Sequence, residues 1–313
     1  MALIGWRVVH GGKTPPPGEV VRPDERLSWP RTVGLGAQHV VAMFGATFVF
    51  PLVMGLNPQL AVMMTGIATI CFLLIVRGRV PSYLGTSASF VGGVAAIRLQ
   101  HGDSTDVTGA ILVAGLVLAA CGIAIHYLGS RVLHAVLPPV VTGAVVMLIG
   151  FNLAPVVANT YWPQDQWVAL LTMLAVMAMA VGFRRFLGRI AVFLGLIFGF
   201  VLSWVFDRAF GQITSYDPGA GKATTHWRVN LDAVRSSTTH WFGFPPHTSI
   251  GPDGKELVGW HLPNFRFVFI LLVLPAVIAL IAENTGHVKA VAEMTRTNLD
   301  PMMGRAIAAD GVG

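Results

Sequence analysis

Charge is scarce in this sequence. Only 12% of its 313 residues are Asp, Glu, Lys or Arg, while 54% are hydrophobic. Soluble domains carry about 25% charged residues, and a soluble core of this size has no need of so many long uncharged runs. Cysteine is scarcer still. Cys71 and Cys121 both lie inside apolar runs, where they read as small buried hydrophobes, and two such thiols exclude a disulfide framework. There is no basic stripe. The formal net charge is +6, but the cations stand at the ends of apolar runs, so no nucleic-acid partner is expected. A cleavable leader is not expected either, because "MALI" is too short an apolar run and polar residues follow it. His-Glu-x-x-His spacing is missing too, which argues against a zinc hydrolase, and no metal or organic cofactor is indicated.

What is present is a series of uncharged stretches, several near the ~18 residues that cross a bilayer as a helix. They predict an all-α polytopic membrane protein whose first partner is the lipid bilayer. Eight spans are read, at roughly 33–55, 58–76, 80–97, 107–130, 132–158, 167–183, 190–206 and 265–288. Residues 1–30 read as a disordered tail, and residues 207–264 as a long polar connection rich in Gly, Pro, Ser, Thr and His. Arginine and lysine set the orientation. Arg7, Lys13, Arg22, Arg26 and Arg31 precede the first span; Arg77, Arg79, Arg131, Arg184, Arg185 and Arg189 fall in the even-numbered connections; Lys289, Arg296 and Arg305 follow the eighth span. Positive charge concentrates on the cytoplasmic side. The expectation is a cell-membrane protein with its N-terminus in the cytoplasm and residues 207–264 outside.

The third span is unusual. "VPSYLGTSASFVGGVAAI" places Pro81, Gly85, Thr86, Ser87, Ser89, Gly92 and Gly93 inside one hydrophobic stretch. These residues weaken a helix, and irregular backbone at membrane depth is tolerated only inside protein or beside a watery cavity. Two readings follow: a span broken around 84–92, as in transporters that bind substrate at such breaks, or a continuous helix packed closely through small residues.

Polar groups stand in two other spans. Gln38 and His39 occur in the first, and Glu283, Asn284 and His287 in "VIALIAENTGHVKAV" near the end of the eighth. Gln38 follows Arg31 by about two helical turns, and Glu283 precedes Lys289 by a similar distance, so both are expected on the order of 10 Å from the same face. Glu283 and His287 are four residues apart and share a helix face. An intramembrane acid reads as functional by default, since a desolvated carboxylate can exchange a proton and bind a ligand in one place.

At this point the motifs have a likeness. "LGAQHVVAMFGATFVFPLVMGLNP", "RVPSYLGTSASF", "LPPVVTGAVVMLIGFNLAP" and "LPAVIALIAENTGHV" resemble the nucleobase–ascorbate transporter family (nucleobase:cation symporter-2), and within it the bacterial uracil and xanthine permeases. The resemblance implies fourteen spans in two inverted repeats of seven, with the third and tenth each interrupted by a short strand and substrate between them. It divides the chain into core-domain spans one to four at 31–130, gate-domain spans five to seven at 131–206, the external connection at 207–264, and the start of the second repeat at 265–313. "GRAIAADGVG" at the end then reads as the start of span nine, so about eight spans are expected here and the second strand lies outside the sequence.

The resemblance also implies an activity: proton-coupled uptake of a uracil- or xanthine-like base, by a homodimer in the complete form. Glu283 would bind the base and join proton coupling, with His287, His39 and Gln38 tuning it. Ser87, Ala88 and Ser89, within the expected strand Gly85 to Phe90, would offer backbone and hydroxyl groups. Gly45 and Ala46 would leave room for a flat ring. Uracil permeases carry a phenylalanine where this chain has Ala88, which leaves a larger base or a rearranged pocket open. The alternatives are a sulfate or bicarbonate transporter of the same architecture, disfavoured by a buried acid, and a non-transporting fragment that needs a partner. An enzyme is not expected.

Overall fold

The computed structural model describes residues 6–16, 18–129, 138–183, 187–188, 190–217, 222–231, 243–245, 248–250 and 256–313. Arg131, Arg184, Arg185 and Arg189 lie outside the described residues.

The first span is a bent pair. Helix α1 (Trp29–Ala42) starts with Pro30 in its first turn, where the missing N–H has no helical partner to lose. A π-helical turn, Gly45–Val49, and a short helix α2 (Phe50–Val53) follow, and the two halves meet at 49°. The break has local causes. Pro51 cannot donate to the carbonyl one turn back, and the Thr47 hydroxyl donates to the carbonyls of Met43 (3.0 Å) and Phe44 (3.3 Å), which loosens a helix ladder.

Helix α3 (Pro58–Ile75) is capped by Asn57, whose side chain accepts from the amides of Gln59 and Leu60. It ends at Arg77 and Gly78, both at positive φ. The third span then begins without regular structure over residues 81–87, tightens into a 3₁₀ turn at Ala88–Phe90, and becomes helix α4 (Val91–Leu99). The break is therefore real, but it occupies the start of the span, and helix has resumed by residue 91. The strand expected over Gly85 to Phe90 does not form a ladder among the described residues. A ladder needs a second extended segment, and the amide of Leu84 is instead satisfied by the Thr69 hydroxyl at 3.1 Å.

Helix α5 (Ser104–Leu128) carries a capping box between Asp103 and Asp106. Helices α6 (Pro139–Val156), α7 (Gln166–Gly182) and α8 (Ala191–Phe210) follow. The eighth span comprises α9 (Phe267–Val273) and α10 (Pro275–Thr295), and the chain closes with α11 (Met303–Val312). Among the described residues four helices are long and apolar enough to cross a membrane, or five with the bent first pair counted. The third, fifth and sixth spans appear as the shorter or interrupted helices α4, α6 and α7.

Two sequence expectations need correction. The tail at 1–30 is not featureless. Arg7 and Val8 pair in parallel with Glu25 and Arg26, Leu27 is buried, and Trp6 meets Trp29 edge to face at 6.4 Å. Its polarity concealed three apolar anchors. The eighth helix also runs on to Thr295, so Glu283 stands near the middle of 29 helical residues rather than at an end. Lys289 does not stop the helix, since lysine is a good helix former; its ammonium reaches the Asp300 carboxylate.

The core centres on α5. Val107, Ala110, Ala114 and Leu118 pack with Val273, Val277, Ala306 and Ile307. Against α5, α11 comes to backbone contact. A Cβ added to Gly304 would lie 2.3 Å from the His126 nitrogen, and one added to Gly311 would lie 2.4 Å from the Ala119 nitrogen. Small residues let membrane helices approach this closely. Helices α7 and α8 pack on each other and meet the first span where Phe44 and Phe193 cross at 6.1 Å.

The long connection is tied at both ends. Near its start, Arg228 binds Asp165 at 2.6 Å and Asp207 at 3.2 Å. Near its end, Asn264 donates to the buried Asp106 carboxylate at 2.8 Å, and Arg266 lies 3.2 Å from the same group. Of the aromatic run at 240–247, all but 243–245 lies outside the described residues.

Candidate functional site

The site forms where the broken third span meets the middle of α10. Residues 81–87 are not helical, because Pro81 cannot donate a helical bond and the following Gly, Thr and Ser residues favour non-helical backbone. Ser87 then caps the turn: its backbone is extended, and its hydroxyl accepts from the Ser89 amide at 3.2 Å. Glu283 approaches from α10. The Ser87 hydroxyl donates to Glu283 Oε2 at 3.1 Å, and the Ser89 hydroxyl reaches the same oxygen at 3.5 Å. A carboxylate is thus held at the start of the helical part of the third span, where unpaired amides carry partial positive charge.

The first span lines the other side of the non-helical segment. A Cβ added to Gly85 would touch Met43 Cε at 3.4 Å, Thr47 Cγ2 at 3.5 Å and Ala46 Cβ at 3.7 Å. Ala46 therefore abuts the broken span, through the π-helical turn that its neighbours create. Ala88 begins the 3₁₀ turn between the two serines and is half-buried.

The remaining expected residues are placed differently. His287 is exposed one turn beyond Glu283, and His39 is exposed on α1, while Gln38 is half-buried. Among the described residues no side-chain hydrogen bond joins any of the three to Glu283. The four-residue spacing put His287 on the same side of the helix, but it did not make an ion pair.

One group escaped the sequence reading. Asn284 donates to the Asp310 carboxylate at 2.7 Å and to the Leu280 carbonyl at 2.9 Å. Asp310 also lies within electrostatic reach of Glu283 and His287. Behind the Ser–Glu contact there is thus a second acid, on α11. The available signal was one Asp within the mostly apolar "GRAIAADGVG", and intramembrane acids are rare enough to be noted.

Chemically, the arrangement offers one acceptor-rich carboxylate, two hydroxyls that can donate or accept, and a stretch of backbone outside helix. Such a set suits a small flat ligand carrying N–H donors. It has no guanidinium or ammonium among its described members, which is poor provision for an anion.

The chain is 39% identical over 319 residues to the putative pyrimidine permease RutG of Escherichia coli (strain K12), covering 100% of this chain and 66% of that protein. It is 27% identical over 308 residues to the uracil permease of Paenibacillus larvae, covering 94% and 65%. It is 29% identical over 300 residues to the uracil permease of Escherichia coli (strain K12), covering 92% and 61%. The chain therefore spans between 61% and 66% of the length of these curated relatives. The family model Xan_ur_permease, described as a permease family, matches residues 30–313, and the chain belongs to that family.

Proposed function

We propose that this chain serves in secondary transport of a nucleobase, a uracil- or xanthine-like ring, coupled to protons across the cell membrane. The observation that carries the reading is the Glu283 carboxylate, held by Ser87 and Ser89 where the third span breaks. A pyrimidine ring presents N–H groups on one edge. Glu283 accepts such a hydrogen bond, and the non-helical backbone at 85–87 with the serine hydroxyls addresses the carbonyl edge. Coupling follows from the same contact. While the carboxylate is ionised it accepts from the ring; once protonated it loses one acceptor and its hold on the ring weakens. The relatives' names supply the substrate class for those relatives, and the geometry supports carrying it over. Gln38, His39 and His287 are assigned to proton handling around this acid, and a homodimer is the expected assembly.

The test is uptake of labelled uracil and xanthine by cells expressing the complete protein, with Glu283→Gln beside wild type over a range of external pH. Loss of pH-dependent uptake at wild-type protein levels supports the role. Unchanged proton-driven uptake by the variant removes it. Inhibition by sulfate in place of free bases would move the reading to anion transport.

A further inference from the structure

Away from the site, two cavities lie side by side along the crossing of α5 and α11. Their volumes are about 330 Å³ and 210 Å³, and both are lined by His126 and Gly304. The larger is mainly apolar, with Ile75, Ile123 and Val312 in its wall and Arg305 at its rim. The crossing itself explains the gap. Gly122 and Gly304 bring the two backbones together, so the flanking side chains stand around the contact and do not fill the space beside it.

The groove lies at a membrane edge. Helix α3 ends at Ile75, α5 ends at Leu128 and α11 starts at Met303, and the end of α3 leads directly into Arg77 and Arg79. Its apolar wall faces outward: Ile123 is 52% exposed, Tyr127 83% and Val312 63%. Its charge is uncompensated. Asp300 borders the smaller cavity but is engaged by Lys289, and among the described residues Arg305 has no acidic partner. A planar guanidinium beside an imidazole suits a phosphate oxygen cluster, and basic pockets between membrane helices bind lipid headgroups. A free phosphate would gain nothing from the apolar wall, whereas an acyl chain covers it.

From this complementarity we infer that the groove between α3, α5 and α11 binds one anionic phospholipid of the adjoining leaflet, its phosphate held by Arg305 and His126 and one acyl chain laid over Ile75, Ile123 and Val312. The inference does not depend on which substrate the permease carries.

The experiment is native mass spectrometry of the delipidated full chain in detergent, titrated with phosphatidylglycerol, with diacylglycerol, or with inorganic phosphate. Wild type should retain one phosphatidylglycerol, and neither diacylglycerol nor inorganic phosphate at equal concentration should displace it. Arg305→Gln should weaken retention about tenfold, the loss of one charge-assisted contact. Arg79→Gln, on the same side but outside the groove, should leave it unchanged. Ile123→Trp, which fills the apolar wall without touching the charge, should also displace the lipid, and it carries the test if Arg305→Gln does not fold. Equal losses from Arg305→Gln and Arg79→Gln would reduce the effect to general surface attraction and overturn the proposal. Full retention by Arg305→Gln or Ile123→Trp, or no bound lipid on wild type, overturns it as well.

Discussion

Ser87→Ala gives the sharpest test of how the site is held together. The substitution removes two contacts at once: the donation to Glu283 at 3.1 Å and the acceptance from the Ser89 amide at 3.2 Å. A hydrogen bond to a charged group contributes about 1.5–3 kcal/mol, and loss of a helix N-cap costs about 1 kcal/mol. The site is half-buried, so the lower part of the first range applies, and the expected loss is about 2.5 kcal/mol. Ser89→Ala removes only a contact at 3.5 Å, near the limit of a hydrogen bond, and should cost well under 1 kcal/mol. The assay is the unfolding midpoint of detergent-purified protein for both single variants, for Glu283→Gln, and for Ser87→Ala combined with Glu283→Gln. The double-mutant cycle should show a coupling of about 1.5 kcal/mol between Ser87 and Glu283, and Ser87→Thr should recover most of the loss. If Ser89→Ala costs as much as Ser87→Ala, or if the cycle closes without coupling, then the carboxylate is not held by the break in the third span and the proposed site loses its anchor.

Two further predictions follow from local geometry. Gly304→Ala should destabilise by at least about 2 kcal/mol, because overpacking against backbone is relieved only by moving helices apart and its Cβ would meet the His126 nitrogen at 2.3 Å and the Gly122 carbonyl oxygen at 2.7 Å. Gly143→Ala, with nothing within 4 Å of the added carbon, should be neutral or slightly stabilising, and a comparison of thermal midpoints separates the two. At the N-terminal end of α5, the carboxyl of Asp103 is held below the usual aspartate range, first by the Thr105 hydroxyl, then by the Asp106 amide, with smaller help from the Thr105 amide and the Arg266 charge against slight burial. A carboxylate depressed in the folded state stabilises above its unfolded value of about 3.9 and loses that contribution as pH falls through the folded value. Acid unfolding of wild type should therefore show a component below about pH 4 that Asp103→Ala lacks, whereas an identical acid limb in the variant would contradict this account.

Much of the architecture was legible before any coordinates. Hydropathy found the spans because a bilayer rewards continuous apolar length, and Pro81, Gly85 and the serines marked the third span as broken because each acts on its own backbone. Glu283 stood out for the same kind of reason, an acid in an apolar run. Where the readings failed, the cause was usually a contact that no local pattern announces. The bend of the first span depends on the Thr47 hydroxyl turning back onto Met43 and Phe44, and the order of the tail on Trp6 meeting Trp29.

The sequence by itself therefore determined that this chain lives in a membrane, which segments are helical, and which acid and which broken span were worth watching. Only the tertiary structure decided that they meet. Ser87 and Glu283 are separated by 196 positions, and Asn284 meets Asp310 across two helices. Helical period and hydropathy specify which residues share one helix, but the rotation of each helix about its axis is set by packing against its neighbours. In this fold the contact of glycines on α5 and α11 fixes how near α11 can stand, and so brings Asp310 up behind the site, while His287 and His39 stay exposed beside it.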